Sequence, residues 1–366
     1  MTGLPHGDDR LSTRRRALIL AFLTALSVAP GDVQAAAVPP KIRKPMPAPA
    51  TPPDVAPLPP AYFDPTLTVG GEDVKARKVE TRLTVAVHVN GSGPYNFIVD
   101  SGADTSVVGL RIARGLQLPL GTTAILNGMT SRNVVDRVRV AELTLGPNTI
   151  RNLQLPALRE SDLGGDGMIG IDALTQQRLM MDFEKRLIKV EDARIPEKSR
   201  PGDIVVVARR QRGQLILTHV RAAGLSLDAV IDTGTEITIG NLALRDKLIR
   251  KNRDKFVTIP VTGVTGETVD LQMAKIAELQ LGPITLRDVP MAFADVPPFK
   301  MFGLSNEPAL LLGTDILESF RRVSLDFRAR KVRFQLRRCG SQGVVISTSP
   351  ETFTRISATG GSEICG

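Results

Sequence analysis

An internal repeat limits what this chain can fold into more than any other feature of its sequence. Five short blocks of the first half return in the same order in the second half, 131 to 144 residues further along. The paired blocks are 87–103 with 218–235, 128–130 with 263–265, 141–147 with 277–283, 168–172 with 311–315, and 181–183 with 325–327. Ordered matches of this kind indicate a duplicated domain. We therefore predict two similar lobes, at residues 79–195 and 202–335, joined by residues 196–201.

Within each copy the residue pattern is that of β-structure. Apolar residues alternate with more polar ones from Leu83 to Val89, which is the period of a strand with one buried face. Turn formers follow at residues 90–93, and a second strand at residues 95–99 ends on Asp100. The helical patterns are short, at residues 171–179 and 314–321. The predicted fold class is therefore all-β, with two tandem lobes and short helices.

The tripeptide Asp-[Ser/Thr]-Gly occurs twice, at equivalent places of the repeat. Asp100 and Asp232 each follow a run of apolar or β-branched residues, and each is followed two residues later by glycine. Each carboxylate is therefore expected at the tip of a buried strand. A structural role gives little reason to place two carboxylates there, since an unpaired buried charge is costly. Two carboxyl groups about 3 Å apart share a proton, so the pair can both accept and donate one during catalysis.

The segment 97–108, the apolar blocks that end in Gly170 and Gly313, and the order of the elements resemble the bacterial retropepsin-like aspartyl protease family. Family members with both lobes in one chain resemble the pepsin arrangement. The resemblance covers about residues 80–335. It implies two retropepsin-like lobes with the active site between them, a peptide or protein substrate bound as an extended strand, and Asp100 and Asp232 as the catalytic pair.

The resemblance also assigns roles to two turns and two hairpins. The active-site turns would contain Ser101, Gly102, Ala103, Thr233, Gly234 and Thr235. The tips of the flaps, the hairpins that close over the substrate, would lie at Gly128, Met129, Thr130, Gly263, Val264 and Thr265. By the same resemblance, the hydroxyl groups of Ser101 and Thr233 brace one lobe against the other.

The two turns differ at two positions, where Ala103 stands opposite Thr235 and Glu236 would add a charge near the site. The resemblance places a hydroxyl at position 235 within reach of the outer carboxylate oxygen. Since a hydrogen bond donated to the charged form favours ionisation, we predict that Asp232 carries the negative charge and Asp100 the proton. In the alternative, solvent and backbone amides dominate at both aspartates.

Other chemistries find little support. Residues 165–170 fit G-x-G-x-x-G, but without a leading strand or a βαβ unit, so we interpret them as the loop entering the Gly170 block. His88 and His219 occupy equivalent strand positions and are interpreted as structural. The sequence has no H-E-x-x-H, G-x-S-x-G or C-x-x-C motif. We predict neither a metal ion nor a cofactor.

The charge of the chain does not predict a nucleic-acid partner. The net charge of +9 comes from Lys and Arg spread along the whole chain, and the sequence contains no Trp and only two Tyr. Aromatic residues are few, so no platform for stacking bases is suggested, and Lys and Arg form no basic stripe.

Residues 1–35 have the pattern of an export signal. Three arginines at residues 14–16 precede an apolar run at 17–28, and the small-residue pattern at 33–35 suits a signal peptidase. Twelve apolar residues are too few to span a bilayer, so we predict a cleaved signal, no stable membrane insertion, and a periplasmic or secreted protein. Sec and twin-arginine export both stay open.

Two further segments flank the lobes. Residues 36–78 are rich in Pro and Ala and are interpreted as an extended tether that buries no apolar surface; whether they form a pro-segment is left open. Residues 336–366 form a C-terminal tail. Its cysteines, Cys339 and Cys365, are predicted to form a disulfide in an oxidising compartment.

Our main hypothesis is an exported endopeptidase that acts as a monomer, because one chain supplies both halves of the site. Two alternatives stay open. The chain could be a non-catalytic peptide-binding module that has kept the fold, or each lobe could pair with the same lobe of another chain.

Overall fold

Most described residues of the first lobe lie in strands, as the alternating pattern predicts. The structure, a computed structural model, describes residues 41–49, 72–79 and 82–337, apart from residues 147, 175–176, 199 and 249–255. The elements of the first lobe are β1 (Met46–Pro47), β2 (Glu72–Val79), β3 (Arg82–Val89), β4 (Ser92–Val99), β5 (Val107–Gly109), α1 (Leu110–Gly115), β6 (Ala124–Asn127), β7 (Arg132–Val135), β8 (Arg137–Leu145), β9 (Asn148–Leu158), α2 (Glu160–Leu163), β10 (Gly167–Ile169), α3 (Ile171–Leu174), β11 (Gln177–Asp182) and β12 (Leu187–Asp192).

The second lobe repeats this order. Its elements are β13 (Asp203–Gln211), β14 (Gln214–Ala222), β15 (Leu225–Ile231), β16 (Ile239–Gly240), α4 (Leu242–Leu248), β17 (Val257–Thr262), β18 (Thr268–Leu281), β19 (Ile284–Phe293), α5 (Pro297–Met301), β20 (Ala309–Leu312), α6 (Thr314–Leu317), β21 (Arg322–Asp326) and β22 (Lys331–Gln335). The predicted fold class, an all-β chain of two tandem retropepsin-like lobes with short helices, is confirmed.

The same strand arrangement surrounds each Asp-[Ser/Thr]-Gly turn. A two-residue turn with positive φ at Asn90 and Gly91 joins β3 to β4, as the turn signal predicts. The strand β10 then returns parallel to β4 and antiparallel to β5. In the second lobe, β20 lies parallel to β15 and antiparallel to β16 in the same way. The interpretation of residues 165–170 as a loop is therefore wrong for Gly167–Ile169, which are strand β10.

The two lobes share one antiparallel sheet, which we call the inter-lobe sheet. Its strand order is β2–β12–β11–β21–β22–β13, so three strands come from each half of the chain. At its centre β11 pairs with β21, the strands that contain most of the repeat blocks 181–183 and 325–327. Reciprocal ion pairs cross this centre, from Arg178 to Asp326 at 3.6 Å and from Arg322 to Asp182 at 2.6 Å.

The predicted helix at residues 171–179 is too long. The helix α3 ends at Leu174, and Gln177–Asp182 form a strand in which every residue is buried. Hydrogen bonding to β12 on one side and β21 on the other outweighs the local helical pattern. The second predicted helix, at residues 314–321, likewise ends early, at Leu317.

Parts of the predicted tether pack against the lobes. Ile42 is buried in the main apolar cluster, and β1 pairs with β7. Farther along, β2 pairs with both β12 and β3, so ordered structure begins before Val79. The prediction of a segment that buries no apolar surface is therefore wrong for Ile42. Strand partners more than 80 residues away in sequence provide the hydrogen bonds and apolar contacts that the local composition does not predict.

One continuous apolar cluster joins the interiors of the two lobes. It contains Val85 and Phe97 from the first lobe, Leu217 and Phe293 from the second, and Leu325 from the inter-lobe sheet. All described residues belong to one compact unit. Among them, no helix is both long and apolar enough to cross a membrane.

Candidate active site

Each of the two aspartates lies directly beyond a buried strand end. Asp100 follows β4, and its amide donates to the carbonyl of Ile169 on β10 at 2.9 Å. Asp232 follows β15, and its amide donates to the carbonyl of Leu312 on β20 at 3.1 Å. The two residues are 8% and 7% exposed, so both carboxyl groups are almost withdrawn from bulk water.

Backbone amides of the following turn bind each carboxyl group. Gly102 and Ala103 donate to Oδ1 of Asp100, at 2.8 and 3.0 Å. Gly234 and Thr235 donate to Oδ1 of Asp232, at 3.0 and 3.2 Å. The first four residues of each Asp-[Ser/Thr]-Gly turn thus form the same hydrogen-bonded loop in both lobes.

The two glycines allow the turns to approach each other. A methyl group at Gly102 would overlap the carboxyl group of Asp232, and one at Gly234 would overlap that of Asp100. Each aspartate is therefore covered by the turn of the opposite lobe. Glycine is required here because only a missing Cβ leaves room for the facing carboxyl group.

Beneath the aspartates, Ser101 and Thr233 bind across the lobes. The Thr233 hydroxyl accepts from the Ser101 amide at 2.9 Å and donates to the Val99 carbonyl at 2.8 Å. In return, the Ser101 hydroxyl accepts from the Thr233 amide at 3.2 Å and donates to the Ile231 carbonyl at 3.0 Å. These four buried bonds tie the two turns together at their base.

The two carboxyl groups are hydrogen-bonded to one another and are not equivalent. Burial raises the pKa of both. The pKa of Asp232 lies well above its usual value because the charge of Asp100 adds to the effect of burial. At Asp100, the amides of its turn, the bond to Asp232 and the charge of Arg82 all offset burial. The pKa of Asp232 is therefore raised further than that of Asp100.

The predicted reason for a negative charge on Asp232 is wrong. The Thr235 hydroxyl donates to the carbonyl of Ile237 at 3.2 Å, so its proton is not directed at Asp232. Backbone amides bind both aspartates in the same way, which was the alternative. Arg82, a residue that the motif did not point to, adds a smaller effect that lowers the pKa of Asp100.

Arg82 lies at the start of β3 and reaches the turn of the second lobe. Its Nε donates to Oε1 of Glu236 at 3.0 Å, and its Nη1 donates to the carbonyl of Gly234 at 3.4 Å. Glu236, which the sequence singled out for its charge, is thus one half of a buried ion pair. The strand registers place Gln214 at the equivalent position of the second lobe.

The residues predicted as flap tips lie at the ends of two hairpins, β6–β7 and β17–β18. Met129 of the first tip packs against the apolar cluster of the second lobe, and Val264 of the second tip packs against that of the first. The hydroxyl groups of Ser131 and Thr265 are 2.7 Å apart, within hydrogen-bond distance. The structure therefore brings the two predicted tips together; their role in substrate binding stays a prediction.

A second pair of carboxyl groups, one buried and one partly buried, follows the apolar blocks. Asp172 accepts bonds from the amide and hydroxyl of Ser106, and Asp315 accepts the same bonds from Thr238. Burial raises the pKa of each aspartate to about 6, although these bonds act in the opposite direction. They lock the start of each short helix to the strand after the turn, and the sequence reasoning did not assign them a role.

Two predicted features lie elsewhere. Cys339 and Cys365 are outside the described residues. Among the residues that are described, no group of three or more His, Cys, Asp or Glu side chains is arranged to hold a metal ion. His88 and His219 lie on the equivalent strands β3 and β14.

Comparison with known proteins identifies a matching protein family. A family model described as aspartyl protease matches the chain twice, at residues 85–173 and 218–316. Each match contains one Asp-[Ser/Thr]-Gly turn and its partner block, and the two together cover just over half of the chain. No curated protein matches the chain.

Proposed function

The chain belongs to the aspartyl protease family, and from this premise we propose that it is an exported, monomeric endopeptidase that uses Asp100 and Asp232 to activate water. The observation that carries the proposal is the hydrogen-bonded pair of buried carboxyl groups at equivalent turns of the two lobes. A monomer is proposed because both carboxyl groups belong to one chain.

The unequal shifts in the pKa values of the two aspartates support a general acid–base mechanism. The ionised Asp100 takes a proton from the water molecule that attacks the peptide carbonyl. The protonated Asp232 donates a hydrogen bond to the carbonyl oxygen and stabilises the negative charge that develops there. The proton that Asp100 has gained then passes to the leaving amine, which returns the pair to its starting state.

The proposed substrate is an extended peptide, as the aspartyl protease family implies. The tips of the two hairpins lie over apolar clusters that include Ala103 in one lobe and Ile237 in the other. A peptide in this position would lie between the hairpin tips and the active-site turns.

Digestion of a peptide library, with and without the inhibitor pepstatin, tests the activity. Asp100→Asn and Asp232→Asn should each lower the rate of cleavage by about 10²–10⁴-fold, because either change removes half of the shared-proton pair. Asp228→Asn is the matched control: this residue lies on β15, four residues before Asp232, and pairs with Arg209. Normal cleavage by either dyad variant would refute the proposal.

The same variants test the two alternatives. Peptide binding without cleavage by the wild-type protein would favour the non-catalytic module. Recovery of activity on mixing Asp100→Asn with Asp232→Asn would favour sites formed between chains, because each intramolecular pair remains broken in such a mixture.

Export is the untested part of the proposal and depends on the arginines at residues 14–16 and the apolar run at 17–28. Expression of the full chain in a bacterial host should give a periplasmic or secreted product that begins at Ala36. In that product, mass spectrometry should find Cys339 joined to Cys365. A full-length cytoplasmic product, or two free thiols in the exported one, would contradict these expectations.

A further inference from the structure

The two lobes place different side chains at one equivalent position beside the dyad. Arg82 begins β3, and Gln214 begins β14. Both lie two residues before an equivalent strand pair, Thr84 with Ile98 and Ile216 with Val230. A charged side chain in the first lobe therefore corresponds to a neutral one in the second.

Each of these side chains crosses to the turn of the opposite lobe. The amide nitrogen of Gln214 donates to the Gly102 carbonyl at 3.3 Å and to Oδ1 of Asp104 at 2.6 Å. Arg82 makes the corresponding bonds to the Gly234 carbonyl and to Glu236. The contacts match pair by pair, but only one of the two side chains is a cation.

The glycines connect these contacts to the aspartates. Gly234, which Arg82 binds, lies against the carboxyl group of Asp100, and Gly102, which Gln214 binds, lies against that of Asp232. Arg82 therefore stands behind the peptide that covers Asp100, while a neutral amide stands behind the peptide that covers Asp232. The guanidinium group is well shielded from water, because the Arg82 side chain is only 12% exposed.

The other charges at the turns form a second ion pair. Asp104, the counterpart of Glu236, is bound by Nη2 of Arg212 at 2.6 Å. Each turn thus has one acid and one arginine, but the arginines differ in place. Arg82 binds the glycine carbonyl of the opposite turn. In the second lobe Gln214 makes this bond, and among the described residues Arg212 binds only the acid.

We infer that Arg82 is a positioning residue that selects Asp100 as the ionised aspartate, and thereby the general base, by placing a shielded positive charge on its side of the pair. The roles of base and acid rest on the proposed function, but the selection of the ionised aspartate does not. A buried cation near one of two carboxyl groups that share a proton favours the negative charge on that group. The lobe duplication by itself would leave the pair nearly symmetric.

Titration of the two carboxyl groups by carbon NMR, with aspartate labelled at Cγ, tests the inference without relying on activity. In the wild-type protein, Asp100 should ionise first. Arg82→Gln, which copies Gln214, should raise the first apparent pKa by about one unit and divide the charge more evenly between the aspartates. Arg82→Lys should shift it less, because the charge is kept.

An exchange variant separates charge from structure. In Arg82→Gln/Gln214→Arg, the cation moves to the other lobe, so Asp232 should become the first to ionise. Arg209→Gln is the matched control, since Arg209 is half exposed and pairs with Asp228 away from the dyad. An unchanged order of ionisation in both Arg82→Gln and the exchange variant would overturn the inference.

Glu236→Gln keeps the proposal testable if Arg82 variants do not fold. It leaves Arg82 without its anionic partner, so the first apparent pKa should fall, opposite to the shift expected from Arg82→Gln; no shift would count against the inference. The pH profile of kcat/KM should move in parallel on its acid side. If the wild-type protein cleaves no peptide, the proposed function fails, but the carboxyl titration still decides whether Arg82 selects the charge.

Discussion

The hairpins β6–β7 and β17–β18 occupy equivalent places in the two lobes, but the structure holds them differently. The second hairpin is part of its lobe's main sheet, because β18 runs without a break from the tip at Thr268 to Leu281. The first hairpin is interrupted at Asp136, between β7 and β8. In the second lobe the strand β18 continues through Gln272, the residue equivalent to Asp136. In the first lobe the hairpin β6–β7 instead belongs to a separate small sheet.

The upstream segment completes the first hairpin. The strand β1 adds to β7 as a third strand, and the amide of Ala48 donates to the carbonyl of Arg132 at 2.9 Å. Next to it, the Arg43 guanidinium binds the Asp136 carboxylate through two nitrogens, with distances of 2.5 to 3.2 Å. We call residues 41–49 the strap. The second hairpin has no such partner among the described residues.

This comparison separates two kinds of position in the repeat. The lobes agree wherever each must fit the other, as at the glycines, the Ser101–Thr233 brace and the inter-lobe sheet. They differ where a contact involves one lobe alone, as at the strap. They also differ at Arg82, where equal residues in both lobes would give the two aspartates equal surroundings. Duplication gives two equal halves, and a few side chains make them unequal.

The largest effect is expected at the glycines that face the dyad. Gly102→Ala should displace the carboxyl group of Asp232, and Gly234→Ala that of Asp100, because the added methyl overlaps each group. Misplacement by about 1 Å can cost about 100-fold in rate, so both variants should lose at least that much peptide cleavage. Gly115→Ala is the control, since a methyl there meets no neighbour within 4 Å. Full activity in one variant alone would show that only one turn faces its partner closely.

The brace beneath the aspartates should have the next largest effect, on stability. Thr233→Val leaves the Ser101 amide and the Val99 carbonyl buried and unpaired, so unfolding free energy should fall by about 2–4 kcal/mol. Ser101→Ala should cost slightly less, because one of its bonds is longer, at 3.2 Å. Denaturant titration measures both, with Thr285→Val, at an exposed residue of β19, as control. A loss under about 0.5 kcal/mol would mean that the hydroxyls do not brace the lobes.

The pair Asp172 and Asp315 should make stability depend on pH equally in both lobes. Their folded pKa of about 6 exceeds the unfolded value of 3.8, so the folded protein binds protons more tightly. Each residue should therefore add about 2 kcal/mol as pH falls from 7 to 4, and lose it as pH rises through 6.

Comparison with Asp172→Asn and Asp315→Asn isolates this contribution from that of other carboxyl groups. Each variant should lack its share of the increase in unfolding free energy between pH 7 and pH 4. If the wild-type protein and both variants change by the same amount over this range, the two aspartates do not carry the predicted protons.

The smallest effect is expected at the strap and only in the first lobe. Arg43→Ala should speed amide hydrogen exchange at Ala48 and along β7 while leaving β17 unchanged. Although burial alone would raise the pKa of Asp136, its bonds to Arg43 lower it. The Arg43–Asp136 pair thus stabilises the strap at neutral pH, and this stabilisation is lost in acid. At acidic pH the amide hydrogens of Arg43→Ala and of the wild-type protein should therefore exchange at the same rate. Equal acceleration in both hairpins would contradict the lobe difference, and Arg245→Ala in the second lobe is the control.

Much of the fold could be predicted because its signals are local. The repeat determines two lobes, the alternation of Leu83 to Val89 determines a strand, and Asn90-Gly91 determines the turn after it. The two Asp-[Ser/Thr]-Gly turns likewise locate the paired carboxyl groups. In each case neighbouring residues carry the pattern, and the backbone conformation follows from their shape and polarity.

Other features depend on partners that are remote in sequence. Residues 177–179 form a strand rather than a helix because β12 and β21 lie on either side of them. Ile42 is buried because a hairpin some 90 residues later offers an edge and an acid. A local pattern cannot report such partners, since their distance in space is unrelated to their distance in sequence.

The dyad shows the same difference between features set by local sequence and features set by residues remote in sequence. The sequence by itself determined that two aspartates meet, because a duplicated motif places one at each equivalent turn. Only the tertiary structure decided which groups surround each of them, since the Thr235 hydroxyl turns to the Ile237 carbonyl and Arg82 reaches over from the other lobe. The free energy of a buried charge depends on the few groups closest to it in space, and here they come from residues about 150 positions apart.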